Sequence, residues 1–211
     1  LSVTATGESV LRSTPLPGAI LTRIAKSHIR VGTFQYAAAL GDKENLSQLL
    51  AYTVDRHYPE LRNADDLPYA FFQAVLDRQA DLVSRWMLVG FVHGVMNTDN
   101  VSIAGETIDY GPCAFLDVYH PETVFSSIDH QGRYAFQNQP SITQWNLARL
   151  AESLVQVVPG NPEDAVGKFV EILETFPSCY EKYFQIGANA KIGLTTLEKE
   201  DSAIYSDLLK I

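Results

Sequence analysis

Residues 68–89 constrain this chain more than any other stretch. Phe71, Phe72, Val75, Leu76, Leu82, Val83, Trp86 and Met87 recur at three- and four-residue spacing, the period of an α-helix that buries one face. Pro68 stands where proline is tolerated, in the first turn. A helix of about six turns with this much apolar surface has to be a core element. Gly90 interrupts it, and HGVMNTDN, residues 93–100, hangs a run of polar side chains directly off its end. The spacing predicts a loop between the buried helix and a small hairpin made of residues 101–104 and 107–108 around Gly105.

Residues 2–6 and 19–24 carry β signals on either side of Ser13-Thr14-Pro15-Leu16-Pro17-Gly18, so the start of the chain predicts two strands or a hairpin. From Thr33 the period turns helical, through Phe34, Ala37 and Ala38, and after Gly41-Asp42 through Leu46, Leu49, Leu50 and Val54. Residues 110–140, rich in Gly, Pro, His and aromatics, read as a long ordered loop, a kind that is often functional. Ser141-x-x-Gln144 has the form of a capping box opening a helix with Leu147, Leu150, Ala151 and Leu154 on one face. Asn161-Pro162-Glu163 opens another, ending before Pro177, and the tail predicts one or two further helices broken near Gly193. β first and mostly α afterwards is the order of an α+β fold.

Sixteen Lys and Arg against 25 Asp and Glu give a formal charge of −9 without a basic cluster, which argues against nucleic acid or an anionic membrane as partner. Cys113 and Cys179 do not form a disulfide framework, so free thiols in a reducing compartment are expected. No apolar run approaches the roughly 20 residues that span a bilayer, and no leader precedes the first strand; a cytoplasmic protein is the expectation. Opening in an alternating β segment, the sequence reads as a fragment of something longer.

The polar loop offers hard oxygens. Mg²⁺ bound with nucleotide phosphates takes one or two carboxylates or amides and keeps part of its water, and Asn100 and Asp109 stand at the two ends of the expected hairpin. The kinase pattern H-R-D-x-x-x-x-N followed by D-F-G uses such a pair. On this sequence His93 takes the place of the His, Asn100 of the Asn and Asp109-Tyr110-Gly111 of D-F-G, but Val95 stands where the catalytic carboxylate belongs. Asp99 is the substitute carboxylate. The plainer readings are that Asn97, Asp99 and Asn100 close Asx turns, that Asp109 is a turn residue, and that His93 is a structural hydrogen-bonding group. Arg23 and Arg30 suit phosphate oxygens, or equally salt bridges. No Walker motif, zinc motif or nucleophile elbow is present, and His28, His57, His120 and His130 are too scattered to argue a metal cluster.

Four blocks, PGAILTRIAKSHIRVGTFQY, RHYPEL, HGVMNTDNVSIAGETIDYGPCAFLD and GRYAFQNQPSITQWNLARLAESL, closely resemble the SelO family, called YdiU in bacteria: pseudokinase-fold enzymes that move AMP from ATP to protein hydroxyls. The resemblance implies a protein-kinase-like α+β fold, with residues 1–32 a remnant of N-lobe strands and interlobe connection and residues 33–211 the helical C-lobe. It implies ATP held in an inverted pose, protein substrates with acceptor Ser, Thr or Tyr hydroxyls, and Mg²⁺ or Mn²⁺. In this family's terms Asp99 is the proton acceptor, Asn100 and Asp109 are the metal ligands, and Arg23 and Arg30, with Asp109, bind the nucleotide. The family's place is the cytoplasm in bacteria and the mitochondrion in eukaryotes. The family's upstream glycine loop, lysine and helix glutamate are not found here, and neither is its C-terminal selenocysteine or cysteine. The competing readings are a phosphotransferase, which wants a carboxylate at Val95, and a silent nucleotide-binding scaffold.

Overall fold

A computed structural model describes residues 1–196, 198 and 201–209, and its fold is α+β. The predicted core helix is α3 (Leu67–Leu88), with Pro68 in its first turn. Against it pack α4 (Gln139–Leu154), α5 (Pro162–Leu173) and α6 (Phe176–Lys191), while α1 (Val31–Ala39) lies on α4 and α2 (Lys43–His57) on α1. The shared interior holds Phe34, Leu46, Phe71, Phe72, Leu76, Leu147, Leu150 and Phe169, all nearly or fully inaccessible. Each such side chain contributes roughly 1.5–3 kcal/mol by leaving water. Local sequence signals set several helix ends, those of α5 as expected. Asp42 caps α2 by accepting from the Glu44 and Asn45 N–H groups, Asn161 caps α5 by accepting from Glu163, and Pro177 sits in the first turn of α6, beyond the end of α5. Past Gly193, α7 (Asp201–Leu208) is the last helix.

β1 (Ser2–Leu11) and β2 (Pro15–Thr22) form the expected antiparallel hairpin, paired from Ser2↔Thr22 to Leu11↔Pro15 with an irregularity between Ala5 and Ser9. Gly18 is its one buried residue; a Cβ there would lie 2.9 Å from the Glu8 carbonyl oxygen. The long stretch 110–140 is ordered and mostly irregular, as expected. Cys113 and Cys179 are free. No described helix is long and apolar enough to cross a membrane.

Two expectations fail. The capping box at Ser141 does not form: α4 begins earlier, at Gln139, with Pro140 in its first turn. Ser141 Oγ instead donates to the Asn138 carbonyl and Gln144 Nε2 to the Leu173 carbonyl. The hairpin over residues 101–108 shrinks to one bridge, Val101↔Thr107. Its first arm has a different main partner, since Val31 N–H donates to Val101 O, Ile103 N–H donates to Ile29 O, and Arg30 and Ser102 form a bridge. Val101 and Ile103 are drawn into the core, and the chain entering α1 takes the ladder that the second arm was expected to fill. A pair the sequence did not announce, β3 (Phe91–Val92) with β4 (Ala114–Phe115), closes the base of the polar loop.

Buried groups from the helices fix this region. Tyr58, fully buried, donates its hydroxyl to Ile103 O at 2.6 Å, with the Arg78 guanidinium 3.8 Å over its ring. His93, also fully buried, lies with Nε2 2.8 Å from Ile108 O. A carbonyl only accepts, so Nε2 carries the proton and Nδ1 faces the Val95 N–H. Burial holds this imidazole below its ordinary pKa, with the Ile108 carbonyl and the charge of Asp109 pulling the other way.

Tyr58→Phe leaves the Ile103 carbonyl buried and unpaired, and denaturant melts should show a loss of about 1–3 kcal/mol. The depressed pKa of His93 means that the unfolded chain takes up its proton first. The stabilising contribution is therefore present above about pH 6.5 and is lost as pH falls through the folded value. Thermal melts from pH 7.5 to 5.5 should show a falling Tm, and a shallower fall in His93→Gln.

Candidate active site

The polar loop leaves β3 at His93 and turns through a single 3-10 turn, Thr98–Asn100. Asn97 caps that turn, its Oδ1 accepting from the Asp99 N–H at 3.1 Å. The Asx-turn reading is therefore right for Asn97 and leaves Asp99 and Asn100 for other work.

Asp99 is exposed, and its carboxylate lies over the first turn of α1. The approach is so close that a Cβ built on Gly32 would stand 2.1 Å from Asp99 Oδ1. Only glycine admits the carboxylate there, and the partial positive charge of a helix N-terminus suits an anion. Sequence reasoning passed over Gly32; the available signal was a glycine just inside a helix start, where it costs helix stability.

Asn100 donates Nδ2 to Val95 O at 2.9 Å. This fixes which way the amide faces and keeps Oδ1, the oxygen a hard cation would use, as the acceptor. Val95, at the position of the missing carboxylate, thus serves the loop through its backbone.

Asp109 adopts φ 59°, the left-handed region, alone among the described non-glycine residues. Such a conformation costs energy that the surroundings must supply; here the Gly111 N–H donates to Asp109 O at 2.7 Å and His93 holds the preceding carbonyl. Asp109 Oδ1 pairs with Arg23 at 3.1 Å, and three residues away in each segment Lys26 pairs with Glu106 at 3.5 Å. Two ion pairs thus tie residues 23–26 to residues 106–109. A cleft of about 780 Å³ opens there, lined by Arg23, Lys26, Glu106, Ile108 and Tyr110; Asp99 and Asn100 do not line it.

Arg30 is the N-cap residue of α1, and its N–H donates to Thr33 Oγ1. Its guanidinium Nε is buried without a hydrogen-bond partner, the state of a donor that an anion would complete. The fold thus joins Arg23 directly to Asp109, sets Gly32 against Asp99, and brings Arg30 beside Ser102, two residues past Asn100. Among the described residues no cluster of three or more His, Cys, Asp or Glu forms a metal cage. One amide oxygen and one carboxylate are nonetheless the protein share expected where phosphates and water complete a Mg²⁺ shell, so the donor set fits that ion.

A sequence profile described as "Protein adenylyltransferase SelO" matches residues 1–211. A protein of Alcanivorax borkumensis named "Protein nucleotidyltransferase YdiU" is 56% identical over 209 residues, covering 99% of this chain and 43% of its own length. Proteins of the same name from Anoxybacillus flavithermus, 54% identical over 211 residues, and Bacillus cytotoxicus, 56% over 210, are covered to 44% and 43% of their lengths. This chain thus spans less than half of the curated relatives it matches, and over its whole length it belongs to the SelO family of protein adenylyltransferases.

Proposed function

We propose that this chain is the catalytic half of a Mg²⁺-dependent protein adenylyltransferase, which joins AMP from ATP to Ser, Thr or Tyr hydroxyls of proteins and releases diphosphate. The observation that carries the reading is the exposed carboxylate of Asp99 seated on Gly32 beside the oriented amide of Asn100. Family membership and the names of the relatives supply the reaction class. In this reading the helical body is a protein-kinase-like C-lobe from residue 33 onward, and residues 1–32 are strands and connection to an N-lobe.

Asp99 accepts the proton of the acceptor hydroxyl, whose oxygen forms the new bond to the α-phosphorus as the bond from that phosphorus to the diphosphate oxygen breaks. Asn100 Oδ1 and Asp109 would hold Mg²⁺, which neutralises charge on the phosphates. Arg23 and Arg30 hold the phosphates, and their fixed planar forks match oxygen pairs. With nucleotide present, Arg23 turns part of its charge from Asp109 to phosphate, and the carboxylate it releases becomes the better cation ligand. Val95 has no proton-accepting group, which disfavours γ-phosphoryl transfer by the usual kinase route.

The test uses the full-length protein with α-labelled and, separately, γ-labelled ATP and protein acceptors. Label retained from the α position alone is expected; label from γ alone makes it a kinase, and bound nucleotide without transfer makes it a scaffold. Asp99→Asn should slow transfer by about 10²–10⁴-fold, and Asp109→Ala should abolish the Mg²⁺ dependence of nucleotide binding in calorimetry. Gly32→Ala should leave Tm equal or slightly raised, because alanine suits a helix better. The same variant should still slow transfer by an order of magnitude or more, on the scale expected when a reacting group is displaced by about 1 Å. Full activity in it would remove the Gly32 seat from the mechanism.

A further inference from the structure

Resting on the adenylyl-transfer reading, we infer that Gln139 and Asn146 of α4 are positioning residues for the loop that carries Asp99 and Asn100. They stand seven residues apart, about two turns, and so share one face of the helix. Both are fully buried, amid Leu147, Leu150 and Ala151, where an apolar side chain would be the ordinary choice.

Gln139 makes a two-point contact with the strand that leads into the loop. Its Oε1 accepts from the His93 N–H at 2.9 Å, and its Nε2 donates to Phe91 O at 2.9 Å. This is the pair of bonds that a neighbouring strand would offer, delivered by a side chain. Asn146 Nδ2 donates to Met96 O at 2.9 Å, immediately before the Asn97 cap, and to Ile142 O in its own helix at 2.9 Å. Both neighbours are carbonyls, so the amide has one permitted orientation, and its Oδ1 is left buried without a partner. A buried polar atom left unpaired works against stability. The bond to the Met96 carbonyl is the contact this amide makes outside its own helix.

The loop is thereby pinned at Phe91, His93 and Met96, and the next residues are the cap and the Thr98–Asn100 turn. Asn100 closes the same loop internally on Val95. From Met96, the reach to the Asp99 carboxylate is three residues, two of which are set by the Asn97 cap bonds. Moving the Met96 carbonyl moves the seat of Asp99 on Gly32, whereas the nucleotide contacts of Arg23 and Arg30 lie on a different segment. Thr143 is the natural control: buried on the same helix between the two amides, it donates only to Gln139 O in its own backbone.

The experiment compares Asn146→Ala, the isosteric Asn146→Asp and Gln139→Glu, and Thr143→Val in the full-length protein. Its readouts are AMP transfer, metal-free ATP affinity by calorimetry, Tm, and hydrogen exchange of residues 96–100. The Asn146 variants and Gln139→Glu should lose about 10²-fold in kcat, the scale set by small displacements of a reacting group. Metal-free ATP affinity, which rests on Arg23 and Arg30 and not on Asn100, should stay close to wild type, exchange at 96–100 should rise about tenfold or more, and Thr143→Val should change none of these. Unchanged kcat in both Asn146 variants overturns the inference. So does a loss of kcat matched by an equal loss of nucleotide affinity, or reproduced by Thr143→Val at equal Tm, because each marks a general structural role. If Asn146→Ala does not fold, Asn146→Asp and Gln139→Glu decide. If the wild type transfers no AMP, the adenylyl-transfer reading fails by itself, and the exchange data still decide whether α4 holds the loop.

Discussion

An irregular segment of backbone buried inside a helical body is the constraint on which this structure turns. Apart from the partly exposed turn at residues 97–100, residues 91–108 run largely through the interior without a full sheet to receive their N–H and C=O groups, and buried backbone polar groups must be paired. Side chains from the surrounding helices do the pairing. Tyr58 serves Ile103, Gln79 serves Ser102, Gln139 serves Phe91 and His93, and Asn146 serves Met96, while His93 reaches forward to Ile108. Each of these bonds is modest in net worth, about 1 kcal/mol, but leaving one unmade costs more. The helices therefore carry polar residues in their apolar faces, and the loop is held to a single course.

That device separates what the sequence shows from what it hides. α3 and α2 were legible because their apolar residues recur at helical spacing, and α5 because Asn161-Pro162-Glu163 is a helix start with a mechanism. The sites of contact were not legible. Gln79, Gln139 and Asn146 interrupt a hydrophobic pattern and read as solvent-facing positions, since periodicity has no way to mark a polar group whose partner lies tens of residues away. The same blindness produced the false hairpin: the β-like arms at residues 101–108 were real, but residues 29–31, about seventy positions upstream, offered the better ladder. The capping box at Ser141 failed for a related reason, because Gln139 enters the helix to face the strand it supports.

For the candidate site, the short spacing from His93 to Asp109 drew attention to the region, and the resemblance supplied the expected roles. His93 proved to be a buried structural group, in line with the plainer reading of it, and Asn97 a cap. What neither spacing nor motif held was the third dimension of the carboxylate. Asp99 meets Gly32, which is 67 positions earlier and lies in no polar run. Glycine at a helix start is ambiguous in sequence, and only the packing of α1 against the loop turns it into a requirement.

The hairpin β1–β2 extends the same logic to the surface. Val3, Ile20 and Leu21 are more than half exposed, and a two-stranded sheet with both faces open is marginal in water. Its connection to the body, residues 23–30, is held through charged pairs with Asp109 and Glu106 and through the ladder to residues 101–103. Whatever orders the hairpin is thus transmitted to Asp109 and to the base of α1, on which Asp99 rests. In the adenylyl-transfer reading this makes the connection the mechanical link between nucleotide binding and the carboxylate. Arg23 and Arg30 bracket it, and both ends of it lead to the same loop.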